Sequence, residues 1–511
     1  MANMFSLRHA WVLIAFYVSL CFCNQCAYVK EQQARRLFVL SDIANEPDDA
    51  QSFVRLMVYN HEFDIQGLVA TTSYWLNDTT RPDQMLDIID AYAQVLPNLE
   101  KHADGWHSPD RLRSLVKSGP ALYGMDGVGK GHDSEGSELL VKAVDASSEP
   151  LYIPIWGGAN VLAQALWHVN ATRSSDELKE FVAKIRAYAI SDQDNSGPWI
   201  RRHFPSLFYI ASVHHFNKYA VAAWGGISGD NYIHFPSAIS DETISAVWNK
   251  KNIQSQGPLG AKYPDTEFLV EGDTPSLLYM IPNGLSDPEH PEWGSWGGRY
   301  GPVNWKEGHY ADSVDSIIKP SSEANGKPTI YMGSQVTVWR WREAFQADFA
   351  ARMQWSQSSD FSSAKHAPVA VVNGDYTRDI IRIEAKSGEL VELDASSSCD
   401  PDEGNLTYKW WQYFEPSSNN NSPKRDVAIL TISEETEGIV SGGVRPVSEA
   451  SKVTVKIPEE AILRKPGRGA HPEADKHLHV ILEVSDGGLV GYRRIVLSIR
   501  SSKSEVGHDE L

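Results

Sequence analysis

The segment Leu37-Phe38-Val39-Leu40 is an unbroken apolar run, and Asp42, Asn45, Glu46, Asp48 and Asp49 crowd into the eight residues that follow Ser41. A run this short and this apolar predicts a strand buried on both faces, as in a parallel sheet. After Asp49 the apolar positions Ala50, Phe53, Val54, Met57 and Val58 recur at helical spacing, so the acidic loop joins a strand's carboxyl end to a helix's amino end. In open α/β sheets the ligand crevice lies there. Carboxylates this close repel unless a cation neutralises them, and short oxygen ligands in this density suit a hard divalent ion, Ca²⁺ ahead of Mg²⁺. The plainer alternative is capping, since Asp is a preferred N-cap residue and the helix dipole favours anions at that end.

The order strand, Asp, short loop, Asp-Asp, helix resembles the signature of the nucleoside hydrolases, Ca²⁺ enzymes that carry D-x-D-x-x-x-D-D. Asp42, Asp48 and Asp49 match its first, third and fourth acids, and Ala44 stands at the second. In that family the second acid is a metal ligand and the base that activates water. Glu46, two residues on, is the candidate replacement. The wording S-D-I-x-N-E-P-D-D more closely resembles a divergent branch of secreted microbial and fungal proteins, described as cellulose-binding, with a nucleoside hydrolase-like domain and an Ig-like C-terminal domain. This resemblance implies a mostly parallel α/β sheet with flanking helices over residues 35–366, followed by an all-β Ig-like (PKD-like) sandwich over 367–502. It implies Ca²⁺ held by Asp42, Asp49 and Asp273, with Asp48 or Glu46 as base, hydrolysing the glycosidic bond of a nucleoside or other small glycoside. Ala44 favours a rival, a non-catalytic carbohydrate-binding protein, for cellulose or another glucan, on the same scaffold.

Other predicted strands also end in polar clusters. Gln66 to Thr71 runs into Thr72-Ser73, and Leu151 to Trp156 into Gly157-Gly158-Ala159-Asn160. The glycine pair lets the backbone approach a ligand or simply makes a tight turn; the resemblance puts Asn160 at the sugar. Lys184 to Ile190 leads to Asp192, Asp194, Asn195 and Trp199, short acids and amides that can pair with adjacent sugar hydroxyls beneath an aromatic cover, though Asp and Asn also dominate ordinary turns. Asn45 belongs with the substrate-binding candidates. Phe268 to Gly272 reads as a strand before Asp273 and a helix through Pro275, Leu277 and Ile281; the family brings its last Asp from this region as His-Asp, and Gly272 replaces the histidine. Gly124 to Lys130 satisfies G-x-x-x-x-G-K, but Gly131 stands where a P-loop needs Ser or Thr and no apolar strand precedes it, which excludes the ATPase reading. It more closely resembles the D-G-x-G loop beside the sugar pocket of nucleoside hydrolases, with His132 next to it. Trp293 and Trp296, interleaved with glycines, read as a saccharide platform, and Trp339 and Trp341 as core. Asp312 and Asp315 are a second acidic candidate of lower rank.

A net charge of −19 argues against a polyanionic partner such as nucleic acid. The apolar run Trp11 to Cys23 within residues 1–27 has the layout of a signal peptide and is short for a membrane span, so no span is expected after cleavage. The final His508-Asp509-Glu510-Leu511, in the tail 503–511, is the H-D-E-L signal read by the retrieval receptor. Together they predict the secretory pathway, in the endoplasmic reticulum lumen or secreted. Outside the leader Cys399 remains, with Cys26 at the boundary, and sequons at Asn77, Asn170, Asn405 and Asn420 are candidate glycosylation sites. Beyond Pro368 short alternating strands prevail, and Leu393 to Asp402 followed by Leu406-Thr407-Tyr408-Lys409-Trp410 resembles the L-D-A-S-x-S-x-D-P-D…L-x-Y-x-W signature of PKD-type domains, with Trp410 as the sandwich core.

Overall fold

The computed structural model describes residues 26, 34–213, 219, 221–228, 241–304, 306–319, 326–417, 430–434, 447–459 and 477–500. The apolar run of the leader, the H-D-E-L tail and the sequon at Asn420 lie outside the described residues. Eight strands make the first sheet: β1 (Arg35–Ser41), β2 (Phe63–Ala70), β3 (Val116–Ser118), β4 (Leu151–Ile155), β5 (Ile185–Ala189), β6 (Phe208–Ala211), β7 (Tyr300–Pro302) and β8 (His309–Asp312). Their order is β3-β2-β1-β4-β5-β6-β8-β7, parallel except for the β7–β8 pair. Alternate residues of β1 enter opposite cores. Leu37 and Val39 pack with Phe53 and Met57 of α1 (Pro47–Tyr59), while Phe38 and Leu40 pack with Leu162 and Leu166 on the other face. That is why the run is apolar at every position rather than at every second one. The winding reverses between β1 and β4, which opens a crevice at their carboxyl ends.

The C-terminal part pairs two sheets. β11 (Ile381–Lys386), β13 (Thr407–Tyr413), β15 (Val447–Ser448), β17 (His477–Ser485) and β18 (Val490–Arg500) make the larger, and β12 (Leu390–Asp394), β14 (Thr431–Glu434) and β16 (Lys452–Lys456) the smaller; β9 (Asp315–Lys319) and β10 (Thr329–Gly333) form a separate hairpin before them. Trp410 is fully buried in the sandwich core with Val455, Leu482 and Leu497, as expected of its motif. The hairpin turn at Gly487-Gly488 joins β17 to β18, with Gly487 at φ 91°. Cys26 is disulfide-bonded to Cys399 with Cα atoms 5.5 Å apart.

The two parts share a buried, charged and aromatic interface. Asp315, 1% exposed, accepts hydrogen bonds from Arg299 and Arg340 of the first part and from the Tyr413 hydroxyl of the sandwich, so it is structural rather than a second acidic site. Arg378 reaches Glu62 at 2.8 Å, and Arg494 donates to the Leu285 carbonyl at 2.9 Å. Trp293 and Trp296 belong to this seam, which corrects their reading as a sugar platform. Trp293 stacks on His290 with ring centres 4.0 Å apart and meets His479; Trp296 packs on Phe345 and Tyr492. They are 4% and 3% exposed, which leaves no face for a ligand. Trp339 and Trp341 are buried, as expected of core.

Candidate functional site

The crevice at the ends of β1 and β4 gathers the acids. Asp42 follows β1 directly, Asp48 and Asp49 occupy the first turn of α1, and Asp273 comes from a loop more than two hundred residues on. Pro47 at the first helical position fixes the backbone for the turn that carries the Asp pair. The N-cap residue of α1, Glu46, makes no side-chain capping bond, and Asp48 and Asp49 follow it inside the first turn. Carboxylate oxygens of Asp48, Asp49 and Asp273 lie within 4.8 Å of one another, and all three residues are buried. Asp42, 2% exposed, stands beside this triad rather than in it, and hydrogen bonds with Ser73 and Asp49 partly offset its desolvation. Ser41 donates its hydroxyl to Asp49.

Like charges crowd the site. Burial, with the neighbouring acids adding to it, pushes Asp48 up to about 7 and holds Asp49 and Asp273 well above the carboxylate range. Burial likewise raises Asp42 to about 6. Buried oxygens of Asp42 (Oδ1), Asp48 (Oδ1), Asp273 (Oδ2), Asp194 (Oδ2) and Asn160 (Oδ1) have no hydrogen-bond partner among the described residues. Buried polar atoms are nearly always partnered, so this concentration of orphaned acceptors fits a divalent cation and hydroxyl donors.

The glycines are what let the walls close. A Cβ on Gly157 would lie 2.7 Å from the Asp42 carboxyl, and one on Gly158 would lie 2.3 Å from Asp194 Oδ2. At Gly272, where nucleoside hydrolases carry histidine, a Cβ would meet Asp48 Oδ2 at 2.7 Å and Leu269 Cδ1 at 2.6 Å. A side chain at this position would collide with the third acid. The expected strand at Phe268 to Gly272 is absent. Backbone amides there bond to side chains, Val270 to Ser228 Oγ and Glu271 to Gln51 Oε1, and Glu271 adopts φ 48°. Only Pro275–Leu278 of the following helix forms. The loop is anchored instead by the Glu271 carboxylate, which takes two bonds from Arg55 of α1 and one each from Tyr263 and Thr274.

Glu46 is half-buried at the N-cap of α1, and burial, with Asp42 adding to it, raises its pKa to about 7. Asn45 is exposed and hydrogen-bonds Glu46. Ala44 is exposed at φ 91°. Asn160, at the first turn of the helix Asn160–Thr172, donates to Thr72 Oγ1 and the Leu122 carbonyl, 3.0 Å each, and its buried oxygen has no partner among the described residues. Asp194 spends Oδ1 on Ser196 and keeps Oδ2 unpartnered.

The remaining candidates have other work. Both Asp192 oxygens are held by Arg201, at 2.8 and 2.6 Å, so that residue braces the helix Ser196–His203 rather than a sugar. Asn195 accepts from the Met125 amide and fixes the Gly-rich loop. Trp199 stacks on His203 with centres 4.7 Å apart. His132 is half-exposed in a turn of the loop that Gln164 ties down through Gly129, and no contact brings it to the acids. The sequence reading missed Tyr74 and Trp75, which are exposed directly after Thr71-Thr72-Ser73. The signal was available: a Tyr-Trp pair at a strand's carboxyl end, one residue beyond a predicted polar cluster.

A doubly wound parallel sheet with an acid cluster at its switch point, followed by a β-sandwich, defines a nucleoside hydrolase-like domain joined to an Ig-like one. The chain belongs to the family described as "Cellulose-binding Sde182, nucleoside hydrolase-like domain", whose model matches residues 36–300, and the "Cellulose-binding protein Sde0182, C-terminal domain" model matches residues 390–499. A nucleoside hydrolase-related hypothetical protein from Saccharophagus degradans, described as associated with carbohydrate metabolism, is 34% identical over 92% of this chain and 100% of its own, with a TM-score of 0.71. An inosine-uridine preferring nucleoside hydrolase from Bacillus anthracis is 11% identical over 63% of this chain and 99% of its own, with a TM-score of 0.32. No curated protein matches the chain.

Proposed function

We propose that the crevice binds a neutral carbohydrate through a divalent cation, Ca²⁺, and hydrolyses its glycosidic bond. The observation that carries this reading is the set of unpartnered buried oxygens on Asp42, Asp48, Asp273, Asp194 and Asn160. Asp48, Asp49 and Asp273 would hold the ion, with Asp42 alongside, and a bound ion supplies Lewis acidity toward water and an anchor for vicinal sugar hydroxyls. Asp194 and Asn160 accept hydrogen bonds from sugar hydroxyls with their unpartnered oxygens. Glu46 is the proton acceptor for the attacking water, because Asp48 lies among the ligands and Glu46 stands half-buried beside them at the N-cap of α1. The bond from the anomeric carbon to the leaving group breaks through an oxocarbenium-like transition state as the water oxygen bonds to that carbon, and the leaving atom takes its proton from solvent water, as in other glycoside hydrolysis. The leader, the H-D-E-L ending and the exposed sequons at Asn77, Asn170 and Asn405 support a glycoprotein of the endoplasmic reticulum lumen that meets the retrieval receptor.

One observation favours a second reading, a carbohydrate-binding protein without catalysis: Ala44 leaves the family's second acid without a direct replacement. The two separate in one experiment, in which wild type and Glu46→Gln are incubated with nucleosides and cello-oligosaccharides in Ca²⁺ or chelator and assayed for released reducing sugar. Ca²⁺-dependent release that falls about a hundredfold or more in Glu46→Gln supports the hydrolase. Binding of sugar by the wild type with no product from any substrate establishes the binder.

A further inference from the structure

Four aromatic side chains from three separate loops stand around the acid crevice. Tyr74 and Trp75 are 48% and 40% exposed and meet edge to face with ring centres 4.9 Å apart. They are held by a tight local frame. The Tyr74 amide donates to the Gln193 carbonyl at 2.6 Å, the Ser73 amide to the Leu76 carbonyl at 2.9 Å, and the Trp75 and Leu76 amides to Ser73 Oγ at 3.0 and 3.1 Å. Ser73 is also the residue that hydrogen-bonds Asp42, so one short turn carries an acid's partner inside and two rings outside. Tyr219 comes from the loop after β6. Its hydroxyl lies 3.0 Å from Ser191 Oγ and bonds Trp75, and the charges of Glu46 and Asp42 reach it. Tyr123 precedes the Gly-rich loop and lies close enough to Asp194 and Tyr74 to feel both.

We propose that Tyr74, Trp75, Tyr123 and Tyr219 form an aromatic collar at the mouth of the crevice that stacks a second glycosyl ring of a neutral oligosaccharide whose terminal sugar sits on the acids. This inference rests on the carbohydrate reading of that site. A pyranose with its hydroxyls in the ring plane offers an apolar face on each side, which the exposed part of such an aromatic ring can stack. The carboxylates below accept hydroxyl hydrogens, and the rings above take C–H faces. The depth of the acids and the height of the rim divide the ligand into a gripped unit and a stacked unit, so the collar sets a preference for at least two linked sugars over one. A net charge of −19 argues against an anionic ligand.

The test is calorimetry on the Ca²⁺-equilibrated full chain with ribose, cellobiose and cellotriose, wild type against Trp75→Ala and Tyr74→Ala. Cellotriose affinity falling roughly tenfold in Trp75→Ala, with ribose and Ca²⁺ affinities unchanged, supports the collar. Equal cellotriose affinity in wild type and both variants overturns it, as does a loss confined to inosine run in parallel. Failure of the site reading looks different: the wild type then binds no Ca²⁺. In that case retention on cellulose that still drops in Trp75→Ala upholds the stacking surface, and retention that does not drop overturns it.

Discussion

Glu271→Gln removes one charge from a fully buried ion pair and leaves the shape of the site nearly intact. In the native protein Arg55 and Glu271 are both 0% exposed at the side chain, and the guanidinium meets both carboxylate oxygens. Removing one partner of such a pair costs about 3 to 5 kcal/mol, because the remaining charge stays buried without compensation. With a urea m-value of about 3 kcal/mol/M for a domain of this size, the urea midpoint falls by about 1 to 1.7 M. The same loop carries Asp273, so Ca²⁺ affinity falls together with stability. The assay is urea unfolding followed by tryptophan fluorescence, with a Ca²⁺ titration on the folded variant. Arg55→Met combined with Glu271→Met recovers most of the midpoint, since both charges leave together. A midpoint shift in Glu271→Gln below about 0.3 M, or a double variant worse than the single one, refutes the claim that this pair anchors the Asp273 loop.

Other outcomes follow from the same geometry. Burial and the neighbouring acids push Asp42 up to about 6 and Asp48 and Glu46 up to about 7, and hold Asp49 and Asp273 well above the carboxylate range, all above their unfolded values near 4. The metal-free protein therefore holds extra protons, and the stability this confers is complete below about pH 4 and lost as pH rises through about 7. Thermal unfolding in chelator should show Tm falling from about pH 5 to about pH 8, with Ca²⁺ raising Tm more at the higher pH, where protons no longer compete for the same oxygens; an equal Ca²⁺ effect at both contradicts the metal assignment. Gly272→Ala places a Cβ against Asp48 and Leu269 and should weaken Ca²⁺ binding at least about tenfold with a smaller effect on Tm, read by calorimetry and calorimetric melting. Ala44→Gly relieves a positive φ at an exposed position and should raise the urea midpoint by an amount equivalent to about 1 kcal/mol.

The parts of this site that are local in sequence were legible, and the parts assembled over distance were not. The strand, the acids Asp42 to Asp49 and the start of α1 lie within one short stretch, so periodicity and charge alone locate the crevice. Asp273 could be picked as a ligand only through the family resemblance, since its place before Pro275 fits a helix cap as well, and the strand expected ahead of it does not form, because its amides are taken by Ser228 and Gln51 from elsewhere. Nothing near Glu271 announces Arg55, which lies 216 residues away. Trp293 and Trp296 show the same limit in reverse: glycine-interleaved tryptophans look like a binding surface until a second domain docks on them. Asp192 looked like Asp194 in sequence, and only the position of Arg201 one helix later separates a braced carboxylate from an unpartnered one.

The most direct test of the central claim is a calorimetric Ca²⁺ titration of the mature chain, wild type against Asp49→Ala. The account predicts a single saturable site in the wild type that is lost in Asp49→Ala, with ribose binding only when Ca²⁺ is present. A wild type that takes up no Ca²⁺, or an Asp49→Ala variant that binds it equally well, would contradict the assignment of the triad as a metal centre.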